Sequence, residues 1–164
     1  MDERKASVDG EHEAGWGLPR PVEVLLDVTM TPPDGQAERQ SFRYQGMWWR
    51  RAQEAVCRYE EHGHATVTVL KFSDKEMILL RQGEITCRQV FRAGEAGRAL
   101  YRTAHGTFPM SWRCRSLDVD MALSERNLLA QLWFSYDLEL GGTFMGSYEV
   151  AIRIREQVGT PDSC

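Results

Sequence analysis

Apolar and polar residues alternate with period two along most of this chain, most regularly in its last third. From Leu128 to Leu140 the even positions are Leu128, Ala130, Leu132, Phe134, Tyr136, Leu138 and Leu140, and the odd ones include Gln131, Ser135, Asp137 and Glu139. From Phe144 to Ile154 the even positions are Phe144, Gly146, Tyr148, Val150, Ile152 and Ile154, with Ser147, Glu149 and Arg153 on the other side. Gly141-Gly142 separates the two runs and supplies the positive φ of a tight hairpin turn. Strands this long exceed the usual span of roughly 3–10 residues and suit strands tilted around a barrel.

Earlier in the chain, Val22, Val24, Leu26, Val28 and Met30 alternate along a first strand, and Thr31 to Gly35 breaks it with Pro and Asp-Gly. Glu38 to Gln45 carries Phe42 and Tyr44 on one face. Gly46 predicts a bulge or bend before Met47-Trp48-Trp49. Ala55, Cys57 and Tyr59 alternate next, and Glu61 to His64 turns the chain into the β-branched run Ala65 to Phe72. Strands follow at Met77 to Arg81 and Ile85 to Phe91. Arg92 to Arg98 reads as a flexible connection, and Leu100 to Ala104 as a short strand turned by His105-Gly106. Between Thr107 and Met121 the apolar parity switches, from Phe108, Met110, Trp112 and Cys114 to Leu117, Val119 and Met121. A one-residue slip flips every side chain, so a β-bulge is expected near Arg115-Ser116. No segment holds a helical period beyond two turns. The expectation is an all-β domain of about ten antiparallel strands, mostly a meander, closed into a barrel that hides its edges.

The boundaries that follow are an aperiodic, disordered extension over 1–20, a barrel domain over 21–156 and a flexible tail over 157–164. A chain of 164 residues with net charge -4 forms one domain and lacks the basic face of a nucleic-acid binder. No apolar run is long enough to cross a membrane as a helix, and the first twenty residues carry no secretory h-region, which makes the cytoplasm the expected location. Cys57, Cys87 and Cys114 fall in strands, where a reduced cysteine packs as a small hydrophobe, and Cys164 is expected to be an exposed thiol.

Several segments together resemble the YwiB-like group of uncharacterised bacterial proteins, a domain of unknown function. They are Phe42-Arg43 to Gly46 with Trp48-Trp49, Tyr59-Glu60-Glu61-His62, Val69-Leu70-Lys71-Phe72, Leu80-Arg81-Gln82-Gly83, Thr103-Ala104-His105-Gly106 and Phe134-Ser135-Tyr136-Asp137-Leu138. The likeness is spread over residues 21–155, and His105 departs from the aromatic expected before that glycine. It implies a calycin-like barrel, similar in shape to lipocalins, and no activity or cofactor.

Chemical motifs are sparse. His62 and His64 offer two imidazoles without a third ligand, which is no metal site. The carboxylate pairs Glu60-Glu61, Asp118/Asp120 and Asp137/Glu139 read as solvent-facing strand edges. Neither a nucleophile elbow nor a phosphate-binding glycine loop occurs, so no catalytic residue is assigned. Lys71 shares parity with Val67 and Val69, and Arg81 with Met77 and Leu79. If those faces point inward, the two cations anchor an anionic or amphipathic ligand in the barrel mouth, with Tyr59, Trp112, Tyr136 and Tyr148 as lining. Otherwise each snorkels from a strand end into water. Two functions are thus carried forward. One is a binding module for a small ligand. The other is a filled barrel that self-associates or docks a protein partner.

Overall fold

In the strand Thr66–Phe72 every even residue is buried and every odd one is only partly covered, as expected where one face of a sheet packs on a core. The same alternation builds the whole molecule. A computed structural model describes residues 15–123 and 125–157. It contains ten strands: β1 Arg20–Thr31, β2 Glu38–Arg51, β3 Glu54–Glu61, β4 Thr66–Phe72, β5 Met77–Gly83, β6 Cys87–Phe91, β7 Ala96–Thr103, β8 Gly106–Asp120, β9 Leu128–Leu140 and β10 Thr143–Glu156. No helix among the described residues is long and apolar enough to cross a membrane.

All ten strands form one antiparallel sheet in the order β6-β5-β4-β3-β2-β1-β10-β9-β8-β7. The first strand pairs with the last, from Val22↔Glu156 to Thr31↔Ser147. The sheet curls into a nearly closed barrel whose seam lies between β6 and β7. At one end of the seam Thr86 and Arg102 exchange two backbone hydrogen bonds, both 3.0 Å. At the other end the loop joining β6 to β7 is tied to β8, where Gly94 N–H donates to the Cys114 carbonyl (2.8 Å) and Cys114 N–H to the Glu95 carbonyl (2.9 Å).

One half of the barrel holds a dense group of buried side chains, with a cleft of about 360 Å³ at its end beside Trp16 and Trp48. Val22, Val24, Trp48, Leu70, Phe72, Met77 and Ile154 are all buried toward the end where β1, β3 and β5 begin. Trp48 and Phe72 meet there with ring centroids 6.0 Å apart. Trp16 packs on the same end: it is 3% exposed, and the Arg51 guanidinium sits 4.6 Å from its ring centroid. The expectation of a loose extension over 1–20 is corrected here for residues 15–20, because burying an indole offsets the entropy of ordering a short strap. Residues 1–14 and Cys164 lie outside the described residues, as does all of the expected tail beyond Gln157.

The bulge in β8 is present. Cys114 pairs with Tyr136 and Ser116 with Ser135, leaving Arg115 as the extra residue that carries the parity switch. A second irregularity, between Phe144 and Gly146 in β10, had no parity signal. Gly141 and Gly142 have φ of +61° and +84°, the backbone of the expected two-residue turn. Two expectations fail. The ladder from β2 runs through Gly46 without a shift; a Cβ there would stand 2.5 Å from the Arg58 carbonyl oxygen, so the glycine serves close strand approach. The supposed flexible connection over Arg92–Arg98 already belongs to β7 from Ala96 onward.

Candidate functional site

Opposite the packed half the barrel is open. A cavity of about 240 Å³ lies between β1, β2, β3, β4, β5, β6, β9 and β10. Its inner walls follow from strand parity. Leu26 and Val28 come from β1, Phe42 and Tyr44 from β2, Tyr59 and Glu61 from β3, and Leu79 and Arg81 from β5. Two groups of parallel rings form the sides. On β2 and β3, Phe42 stacks on Tyr44 (6.1 Å, 8°) and Tyr44 on Tyr59 (4.9 Å, 18°). On β9 and β10, Phe134 stacks on Tyr136 (6.0 Å, 12°) and Tyr136 on Tyr148 (5.1 Å, 5°). Strand β1 runs between them.

A single polar cluster closes one side of the cavity. Arg81 donates from Nε to Glu61 Oε2 (3.1 Å) and from Nη2 to Oε1 (2.7 Å), a bidentate pair. The Thr68 hydroxyl donates to the same carboxylate, and His64 Nε2 lies 3.9 Å from Oε1. The Arg81 and Glu61 side chains are 20% and 11% exposed. Burial opposes the charge on Arg81, but its hydrogen bonds and Coulomb attraction to Glu61 outweigh that cost and raise its pKa. Tyr59 is pushed up by burial and then by the Glu61 charge, and Tyr136 by burial and then by Tyr148. Tyr44 and Tyr148 are also raised, chiefly by burial. The cavity therefore presents neutral phenols.

Of the six residues singled out in the sequence, the structure gathers Tyr59, Arg81, Tyr136 and Tyr148 around this cavity. Lys71 is not among them. It stands on the outer face of β4, between Val56 and Ile78 on the neighbouring strands, so its head and that of Arg81 leave opposite sides of the wall. The paired-cation anchor is thereby corrected. Period two marks two faces of β4, and the odd face with Val67 and Val69 looked apolar; the buried one carries Thr66 and Thr68 instead. Those threonines are acceptable inside because they are bonded: Thr66 Oγ1 donates to the His64 carbonyl (3.1 Å) and accepts from Ile85 N–H (3.3 Å). Trp112 is buried, but it plugs the seam, donating from Nε1 to the Val90 carbonyl (3.0 Å).

The polar cavity residues Glu61, His64, Thr68 and Gln89 were not among those singled out, and two of them show why. Glu61, read as part of a solvent-facing strand edge, shares parity with Cys57 and Tyr59 and points inward. Gln89 sits between Cys87 and Phe91 on the buried face of β6. In both cases a polar residue on a buried parity was the available signal. Among the described residues no group of three or more His, Cys, Asp or Glu side chains is gathered as a metal site.

Comparison with known proteins places this geometry. The family described as Domain of unknown function (DUF1934) matches residues 27–152. The uncharacterised β-barrel protein YwiB of Bacillus subtilis (strain 168) is 27% identical over 110 residues, covering 66% of this chain and 75% of that protein. The crystal structure of the ywiB protein from Bacillus subtilis superposes with a TM-score of 0.75 at 19% identity, covering 90% of this chain and 99% of the other. That likeness is one of fold.

Proposed function

This chain belongs to the DUF1934 family of domains of unknown function, and we propose that its barrel is a non-enzymatic binding module that takes a small amphipathic molecule into its mouth. The observation that carries this reading is the asymmetry of the lumen. One half is filled with aliphatic and aromatic side chains, while the other keeps a 240 Å³ space walled by stacked rings, with one compact polar cluster. Apolar walls with a few convergent polar groups are the usual make-up of a ligand site. The volume is below the roughly 300–1,000 Å³ of drug-sized pockets and equals that of about eight waters, so a single-ring molecule is the right scale. The anionic version of the idea loses its support, since Lys71 faces outward and Arg81 is neutralised by Glu61.

The alternative, an interaction or self-association module, has one observation in its favour: Trp133 is 44% exposed on the outer face of β9. An open half-lumen is unnecessary for that role. Cys57, Cys87 and Cys114 are free and buried, which suits a reducing compartment such as the cytoplasm.

An NMR titration with single-ring probes tests the reading. Millimolar benzyl alcohol should shift backbone resonances around Tyr44, Tyr136 and Tyr148, and Val28→Trp, which fills the cavity, should abolish those shifts. Shifts that persist in Val28→Trp, or none for any single-ring probe, would remove the proposal.

A further inference from the structure

Two side chains at the cavity are more than nine-tenths buried and yet unbonded. Tyr59 and Gln89 are 4% and 7% exposed, and both line the open half of the lumen. Among the described residues neither the Tyr59 hydroxyl nor the Gln89 amide takes part in a side-chain hydrogen bond. Nor is either group sealed in: among the described residues the fully enclosed side-chain atoms without a hydrogen bond are Glu54 Oε1 and Arg153 Nε. Both Tyr59 and Gln89 line the cavity, and their polar atoms are not fully enclosed. A polar group held away from bulk water without a partner is costly, so such groups face something that bonds them.

Charge narrows the choice. Arg81 and Glu61 already satisfy each other through two hydrogen bonds. An anion would have to take Arg81 and leave the Glu61 carboxylate unpaired at 11% exposure; a cation would have to take Glu61 and strand the guanidinium. Breaking a pair in such surroundings costs more than a new contact returns. The ligand that disturbs nothing is uncharged. Size narrows it further, because a space of about 240 Å³ walled by aromatic side chains is on the scale of a single ring. Lastly, a primary amide offers a donor and an acceptor side by side, and its complement is an acceptor and a donor side by side.

Building on the reading of this cavity as a ligand site, we propose that it selects an uncharged, single-ring molecule carrying a carboxamide- or lactam-type edge, which Gln89 reads with Tyr59 in support. Four probes of nearly one size separate the terms: benzamide, benzoate, benzamidinium and acetophenone, each titrated into the full chain by NMR. Benzamide should bind about tenfold more tightly than each of the others, as one or two neutral hydrogen bonds would give. Gln89→Leu should erase the preference for benzamide over acetophenone and leave acetophenone binding intact. Gln89→Glu should turn the preference toward benzamidinium, which a merely structural glutamine would not do. Benzoate or acetophenone binding as well as benzamide, or an unchanged preference in Gln89→Leu, overturns this inference while the binding reading stands. Failure of all four probes overturns both.

Discussion

The indole of Trp112 occupies the space where Gly97 would carry a side chain. The two residues are direct partners across β7 and β8, and a Cβ on Gly97 would stand 2.3 Å from the ring. From that position the indole N–H reaches the Val90 carbonyl of β6 at 3.0 Å. One ring therefore covers a glycine, fills the gap between β6 and β7 and bonds a carbonyl at the sheet edge. Such pairing of an aromatic with a cross-strand glycine is a recurrent way to hold a curved sheet.

Gly97→Ala should accordingly destabilise the fold by about 2 kcal/mol, the cost of overpacking a filled site, as read by urea unfolding. Combined with Trp112→Phe, which removes part of the clash and the Val90 bond together, the loss should be smaller than the sum of the two single changes. Strict additivity would show that the ring does not depend on the glycine.

Trp16→Ala tests the strap. Burying a large apolar side chain contributes about 2 kcal/mol, so the melting temperature should fall by roughly 4–8 °C for a domain of this size. A chain starting at Leu18 should behave alike. An unchanged melting point would mean that the indole contributes nothing in solution.

Breaking the polar cluster should cost more than removing it. Glu61→Gln leaves Arg81 without its counter-charge and should destabilise by about 3 kcal/mol. Pairing it with Arg81→Gln should recover most of that loss. Equal stability of the single and double variants, measured by denaturant titration, would argue that the pair is solvated rather than enclosed.

Alkaline pH supplies a fourth test. Burial raises the Cys57 thiol from 9.0 to about 12. Above pH 9 the unfolded chain releases this proton and the folded one keeps it. The contribution of the thiol is thus fully present below pH 9 and lost as pH climbs toward 12, at about 1.4 kcal/mol per pH unit. Cys57→Val should flatten the decline across that window by about this slope. The raised tyrosines Tyr59 and Tyr136 leave a residual decline above pH 10 in both proteins. An identical slope in the variant would place Cys57 in contact with solvent.

Period-two alternation by itself determined the strands, because a residue in a pleated chain can only point to one of two sides. It located the Gly141-Gly142 hairpin and, through a parity switch, the bulge at Arg115. It was also enough to bring Tyr59, Arg81, Tyr136 and Tyr148 onto faces that share one lumen. What alternation leaves undecided is which of two plausible faces turns inward, and Lys71 shows the consequence. Valines on one side of β4 and bonded threonines on the other do not distinguish inside from outside until neighbouring strands fix the register. Glu61 and Arg81 stand twenty residues apart, and Gln89 joins them only because β6 lies beside β5. Those meetings, the filling of one half of the lumen and the closing of the seam by Trp112 over Gly97 belong to the tertiary structure alone. They depend on how the sheet curls and on which distant side chains its closure brings within bonding distance, and a local pattern carries neither.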